Sequence, residues 1–429
     1  MKDNSPIHVA FLWHMHQPLY KDPVDGRYPL PWVRLHGTKD YYDMVHILER
    51  YPSIHQTVNI VPSLLEQLID YTEGRAKDRF LDVTTKPADI LTLDDKRFLL
   101  DKFFFANWEN MIMPFPRYWE LLKKRGLHSY NGNFSEAIRY YAVQDFLDLQ
   151  VLFNLAWIDP LLRDDDDFLK GLEKKGQYFT EDEKSRLIEK QYDILKIIIH
   201  EYRKMQDLGI IELSTSPYYH PILPLLCDTD SARDAMPWVV LPNSRFVHPE
   251  DAMEQIAKGI RYHENVFGKK PAGMWPPEGG VSEDAVSLIA RHGINWIATD
   301  ERILEQSLGK HIRRDDNNRC LDPHILYKPY KMLKGGNEIA MVFRDRILSD
   351  LIGFVYSKWD AGKAADDLVE RLLYIRESLG SEIEGHLVTI VLDGENAWEY
   401  YKNDGNDFLN ALYSKISSNN LIKCVTIGE

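Results

Sequence analysis

Two histidines, His14 and His16, close the apolar run IHVAFLW in the segment WHMHQPLY. If that run is a strand, its alternation sets both rings on one side, where an imidazole can hydrogen-bond a hydroxyl or ligate a metal. Gln17 adds an amide, Pro18 stops the strand and Tyr20 offers a ring face, so a sugar-binding corner competes with a metal site. A second segment, IIELSTSPYYHPILPLL, carries Glu212 and, after a strand-like stretch, His220. A glutamate pointing inward from a strand is costly unless paired, and a histidine of the first segment is its expected partner, giving it a supporting role.

The third segment, GMWPPEGG, holds Glu278 between two prolines and two glycines, with Trp275 just upstream. Pro276 and Pro277 stiffen the backbone, while Gly279 and Gly280 let a ligand approach without a Cβ clash. A rigidly held carboxylate beside an aromatic face suits a nucleophile attacking a sugar; the bland alternative is a surface turn. VFRDRILSDLIGF brings Arg344, Asp345 and Asp350, and LDGENAWEYY brings Asp393, Glu395 and Trp398. Carboxylates interleaved with rings suit carbohydrate, whose hydroxyls bond to the former and whose C–H faces lie on the latter.

These residues need strand ends to hold them. Seven short apolar runs end in polar residues: IHVAFLW, HQTVNI, IIELSTS, AGMWPPE, INWIATD, EIAMVFRD and HLVTIVLDGE. Amphipathic stretches lie between most of them, and strands alternating with helices indicate an α/β fold with a parallel sheet. In a parallel barrel the catalytic groups sit at the C-terminal ends of the strands, where these polar residues fall. After Glu278, VSEDAVSLIARHG predicts a helix capped by Ser282 and closed by Gly293. Residues 64–208 show almost no strand signal but long aromatic-rich helical patterns, including one opened by the capping box Thr180-x-x-Glu183; they read as a helical insertion. Residues 302–337 read as a shorter loop insertion, with turns at 315–318 and at Gly335-Gly336. The whole chain, 1–429, is expected to be one catalytic domain.

The charge balance narrows the partners. Lys and Arg number 52 against 66 Asp and Glu, a net charge of −14, which repels polyanions and excludes nucleic acid or an anionic membrane as the main partner. Cys227, Cys320 and Cys424 lie far apart without metal-ligand spacing, so neither a disulfide framework nor a zinc knuckle is expected. The N-terminal apolar stretch reads as a first strand rather than a signal peptide. A soluble cytoplasmic protein follows from that reading.

Taken in order, HMHQPLY, GIIELSTSPYYHPILP, WPPEGG, FRDRILSDLIGF and LDGENAWE resemble the five motifs of glycoside hydrolase family 57, which includes α-amylases, amylopullulanases, 4-α-glucanotransferases and branching enzymes. The resemblance implies an incomplete (β/α)7 barrel with a helical insertion and a retaining mechanism on an α-glucan or maltooligosaccharide. It puts Glu278 in the nucleophile's place and Asp345 in that of the acid/base, with Asp350, farther past the strand, as the alternative. His14, His16, Gln17 and His220 would then bind the reacting sugar, with Trp275 and Trp398 as stacking surfaces and Glu212, Asp393 and Glu395 beside them. Asp345 must start protonated, a state that a negative Glu278 and burial would favour, while alternation turns Arg344 to the opposite side of the strand.

The forms FRDRILSDLIGF and GENAWE favour an α-amylase or amylopullulanase acting on α-1,4 and also α-1,6 bonds, over a transferase or branching enzyme. Only about 30 residues follow Glu399, so the helical bundle that relatives carry there is expected to be missing. No cofactor or metal is expected. The rivals are a metal enzyme such as a polysaccharide deacetylase or α-mannosidase, using His14, His16, His220 and a carboxylate, and a non-catalytic glucan-binding protein.

Overall fold

A computed structural model describes residues 5–127 and 134–429. All seven apolar runs form parallel strands: β1 (Ile7–Met15), β2 (Gln56–Ile60), β3 (Ile211–Ser214), β4 (Gly273–Met274), β5 (Trp296–Asp300), β6 (Asn337–Arg344) and β7 (Leu387–Asp393). Their spatial order is β3-β2-β1-β7-β6-β5-β4, and a single bridge between Thr215 and Met274 brings the two ends together. The result is a nearly closed (β/α)7 barrel with one seam. β1 lies between β2 and β7 and is buried on both faces, Val9 to Trp13 at 0–1% exposure with His8 alone partly exposed, as strands covered on both sides must be. A short β8 (Ile422–Cys424) pairs in parallel with the start of β1.

Between β2 and β3 the described residues are helical apart from the two-residue strand Lys77–Asp78. Three helices dominate: α1 (Pro62–Thr72), α2 (Val143–Ala156) and α3 (Glu181–Asp207). The Thr180/Glu183 capping box is present in full at the start of α3. The helices have their own apolar core, in which Phe103 and Phe153 pack 4.4 Å apart between ring centres. They are tied to the loop after β1 by Arg34, only 1% exposed, whose guanidinium bonds to Asp78 (3.0 Å), Asn154 (2.7 Å) and Gln191 (2.7 Å). A buried cation is tolerated only when bonded in this way.

Residues 302–337, expected as loop, contain more order than their polar composition suggests. Residues Tyr330–Lys334 form an antiparallel hairpin with β6, and Gly335 and Gly336 take φ of +60° and +82° at its turn, a geometry that glycine adopts without cost. α4 (Pro249–Phe267) precedes β4, and α5 (Glu283–Arg291) follows it, capped by Ser282 with Gly293 at φ +81° beyond its end. All three cysteines are free and buried. Among the described residues no helix is long and apolar enough to cross a membrane.

Candidate active site

A cavity of about 630 Å³ opens at the C-terminal ends of the strands, lined among others by His14, Trp275, Glu278, Asp300, Arg344 and Asp393. Glu278 reaches it from a tight turn after β4. Its backbone is left-handed (φ 57°, ψ 19°), costing about 1–2 kcal/mol for a residue with a Cβ, and the surrounding turn imposes it. Pro276 and Pro277 fix the approach, and Thr299 Oγ1 donates to the carbonyl of Gly279 at 2.6 Å. Gly279 is itself at φ +66°, with the Trp275 ring 3.3 Å from where a Cβ would stand. The Glu278 side chain is 73% exposed, so this carboxylate is presented to a ligand rather than used in packing.

Three imidazoles form a stack facing it. His14 and His16 lie 5.4 Å apart, His14 and His220 5.0 Å, and His16 and His220 3.9 Å between ring centres, with planes tilted by only 21–26°. His220 Nδ1 is 4.0 Å from Glu278 Oε1. Burial, the largest cause in each case, holds all three below the usual histidine range, with His16 at about 4 and His220 at about 2; for these two the neighbouring His14 lowers them further. The stack is therefore neutral near pH 7. One nitrogen from each ring lies within 4.8 Å of the others, close enough to be weighed as metal ligands. A metal lies in the plane of each imidazole that binds it, and stacked planes direct their lone pairs alongside one another rather than to one point.

A residue absent from the sequence reading orients this stack. Asn59, at the end of β2, accepts from His14 Nδ1 at 2.7 Å and donates to Ser214 at 3.2 Å. Its signal was a polar side chain one residue from the C-terminal end of the strand QTVNI.

The second carboxylate does not fall where the sequence reading puts it. Asp345 is 1% exposed and does not line the cavity. It caps the helix Arg346–Asp350 by accepting from Leu348 N (2.9 Å), and it also accepts from Tyr327 OH (2.7 Å) and Arg314 (3.3 Å). Alternation does separate it from Arg344, but it is Arg344 that faces the cavity. β5 also stands between β4 and β6, so Glu278 and Asp345 are not on adjacent strand ends. Arg344 pairs with Asp350 at 2.6 Å and with Asp300 at 3.5 Å. Asp300, the strand-end carboxylate of β5, is a cavity residue that the motif reading passed over. Asp393 faces His14 in register across β1 and β7 and accepts from Asn396 at 2.9 Å, and among the described residues no cation is paired with it.

Four other expected site residues stand elsewhere. Glu212 lies toward the opposite end of the barrel, accepting from Trp296 Nε1 and the backbone of Gly428, both at 2.8 Å; no histidine is its partner there. Glu395 is 1% exposed beneath the surface, accepting from His16 N (3.1 Å) and Gln17 (3.2 Å). Burial raises its carboxyl well above the usual range, and its accepted bonds clamp two loops together. Gln17 is buried in that clamp and also accepts from Tyr20 OH at 2.8 Å. Trp398 is 1% exposed and packs against Trp13 in the core, where it has no face to offer a sugar.

The nearly closed parallel barrel thus carries an exposed carboxylate and a neutral histidine stack at the C-terminal ends of its strands, where parallel barrels hold their active sites. Residues 10–429 match the profile of glycosyl hydrolase family 57, and the chain belongs to that family. A curated 1,4-alpha-glucan branching enzyme of Thermococcus kodakarensis is 34% identical over 122 residues, which span 26% of this chain and 15% of that protein. Among solved structures, an alpha-amylase from Thermotoga maritima superposes with a TM-score of 0.53 at 14% identity, covering all of this chain and 74% of that one. A 4-alpha-glucanotransferase from Thermococcus litoralis gives 0.51 at 16% identity, with 99% of this chain but only 40% of the other. At these identities the superpositions speak for the fold.

Proposed function

We propose that this protein is an enzyme that cleaves α-glucosidic bonds of α-glucans with retention, through an ester formed on Glu278. The observation that carries this reading is the Glu278 carboxylate, exposed on a strained, rigid turn, sharing its cavity with His14 and standing 4.0 Å from His220 of the same imidazole stack. In a retaining reaction one carboxylate bonds to the anomeric carbon while a second group protonates the leaving oxygen and then activates the acceptor, the two standing about 5–5.5 Å apart. Neutral histidines can donate to and accept from the hydroxyls of the reacting sugar without adding charge to the site.

Asp393 is the cavity carboxylate best suited to carry the proton. Asp300 and Asp350 are both held by Arg344, whereas Asp393 lines the cavity beside His14 and accepts only from Asn396 among the described residues. Asp345, the acid/base implied by the motif, would need release from Arg314 and Tyr327 to serve. Family membership and the motif forms favour an α-amylase or amylopullulanase-like activity. Transfer to a sugar hydroxyl is the second reading, favoured by the branching-enzyme relative. The three unpaired thiols fit a reducing, cytoplasmic setting.

Release of reducing ends from maltooligosaccharides tests the reaction, and NMR of the first-formed product tests its stereochemistry. The α-anomer is expected; a β-anomer contradicts double displacement.

A further inference from the structure

A second cavity, of about 480 Å³, adjoins the first. The two share Asn396 and Tyr400 as lining residues. Its walls come from three parts of the fold: Trp32 from the short helix after β1, Phe105 and Trp157 from the helical insertion, and Asn396 and Tyr400 from the segment after β7. Trp32 lies nearly parallel to Phe105, 6.4 Å between centres and 19° between planes, and 5.6 Å from Trp157. Phe105 is 37% exposed and Tyr400 58%, so both rings keep free faces. Between the rings stand the neutral amides Asn107 and Asn396.

The lining residues include no lysine or arginine, and their ionisable groups are His36, held by Asp40 at 2.6 Å, and Glu399, whose carboxyl burial raises above the usual range. Lys102 and Lys39 stand over the Phe105 and Trp157 rings, but they are paired with Asp101 and with Asp40 and Asp404, so among the described residues no cation is left over for an anionic ligand here. Ring faces alternating with uncharged donors and acceptors fit a neutral polyhydroxylated chain. Asn396 links the two spaces chemically, since its side chain also donates to Asp393 in the first cavity.

We propose that this second cavity is an arm of the substrate cleft, gripping an α-glucan several sugars away from the bond that Glu278 attacks, so that the enzyme selects extended chains over short ones. The inference rests on the glucan-acting reading above and adds a binding site and a preference for length. It also gives the helical insertion a role, because Phe105 and Trp157 bring one wall of the arm.

The test compares maltoheptaose with maltotriose in wild type, Phe105→Ala and Ala106→Trp, the last filling the arm. Turnover is measured, and so is calorimetric binding in the Glu278→Gln background. The ratio of maltotriose to maltoheptaose KM should fall about fivefold in Phe105→Ala, the worth of one ring contact, with the same change in the Kd ratio and a larger one in Ala106→Trp. Circular dichroism confirms folding, and Phe105→Leu replaces any variant that fails it. If maltoheptaose binds wild type but the ratios stay unchanged in folded variants, the arm is overturned and the glucan reading stands. If neither sugar binds wild type or is turned over by it, the glucan reading itself fails and the arm with it.

Discussion

Asn59 Oδ1 lies 2.7 Å from Nδ1 of His14, and because an amide oxygen only accepts, the ring proton sits on Nδ1 and Nε2 is left as an acceptor. One buried amide at the end of β2 thus sets the tautomer of a histidine at the end of β1. The same amide reaches Ser214 on β3, so three neighbouring strand ends hold the ring as one unit. Preorganisation of this kind lets a neutral ring act on a sugar hydroxyl without reorganising during the reaction.

The histidine stack makes stability depend on acid in a defined window. His16 and His220 are lowered in the fold to about 4 and about 2 from 6.5, so between those values and 6.5 the unfolded chain binds protons that the native one refuses. Their contribution is therefore fully present above about pH 6.5 and is lost as pH falls, toward 4 for His16 and toward 2 for His220, each adding up to about 1.4 kcal/mol per pH unit to the slope. Denaturant unfolding between pH 4.5 and 7 should show this slope, and His220→Gln should flatten it by about one proton. An unchanged slope in the variant contradicts a neutral buried His220.

Retention of activity without metal follows from the chemistry of the site, since double displacement uses carboxylates and hydrogen bonds alone. Extended dialysis against a chelator should leave kcat within a factor of about two, whereas a catalytic zinc would take essentially all turnover with it. His16→Ala should weaken the transition state by about 2–4 kcal/mol, as the loss of one preorganised group does. Activity that disappears with chelator and returns with zinc contradicts the assignment.

Asp393→Asn should lose about 10²–10⁴-fold on α-glucans and keep a fast first step with α-glucosyl fluoride, whose leaving group needs no proton. Asp345→Asn should act mainly on folding, at about 1–3 kcal/mol for a buried, hydrogen-bonded group. Should Asp345→Asn stay stable and show the fluoride behaviour while Asp393→Asn does not, the proton-transfer role belongs to Asp345.

Much of this architecture is legible in the chain because parallel strands covered on both faces write themselves as continuous apolar runs. What alternation cannot supply is which of two faces looks inward. Arg344 and Asp345 do point apart, but the strand's period alone leaves open which one meets the cavity, and only the packing of Arg314 and Tyr327 around Asp345 decides it. The depth of a residue along its strand was readable and was misjudged. Glu212 precedes Ser214, which contacts Asn59 at the catalytic end, by two residues, or about 7 Å down the barrel. Asp300 carried the same strand-end signal as Glu278 without a distinctive motif around it. Trp398 had the composition of a sugar platform and the surroundings of a core ring, and composition does not tell these apart.

The central claim is that Glu278 forms the covalent bond to the sugar, and the direct measurement is kcat of Glu278→Ala with and without azide. A carboxylate 73% exposed on a turn contributes little packing, so the variant should fold normally and lose several orders of magnitude in turnover. Azide should restore part of the activity and yield the β-glycosyl azide, since it attacks from the face that the carboxylate vacates. A folded Glu278→Ala protein that retains more than about a tenth of wild-type kcat, with no glycosyl azide formed, contradicts the account.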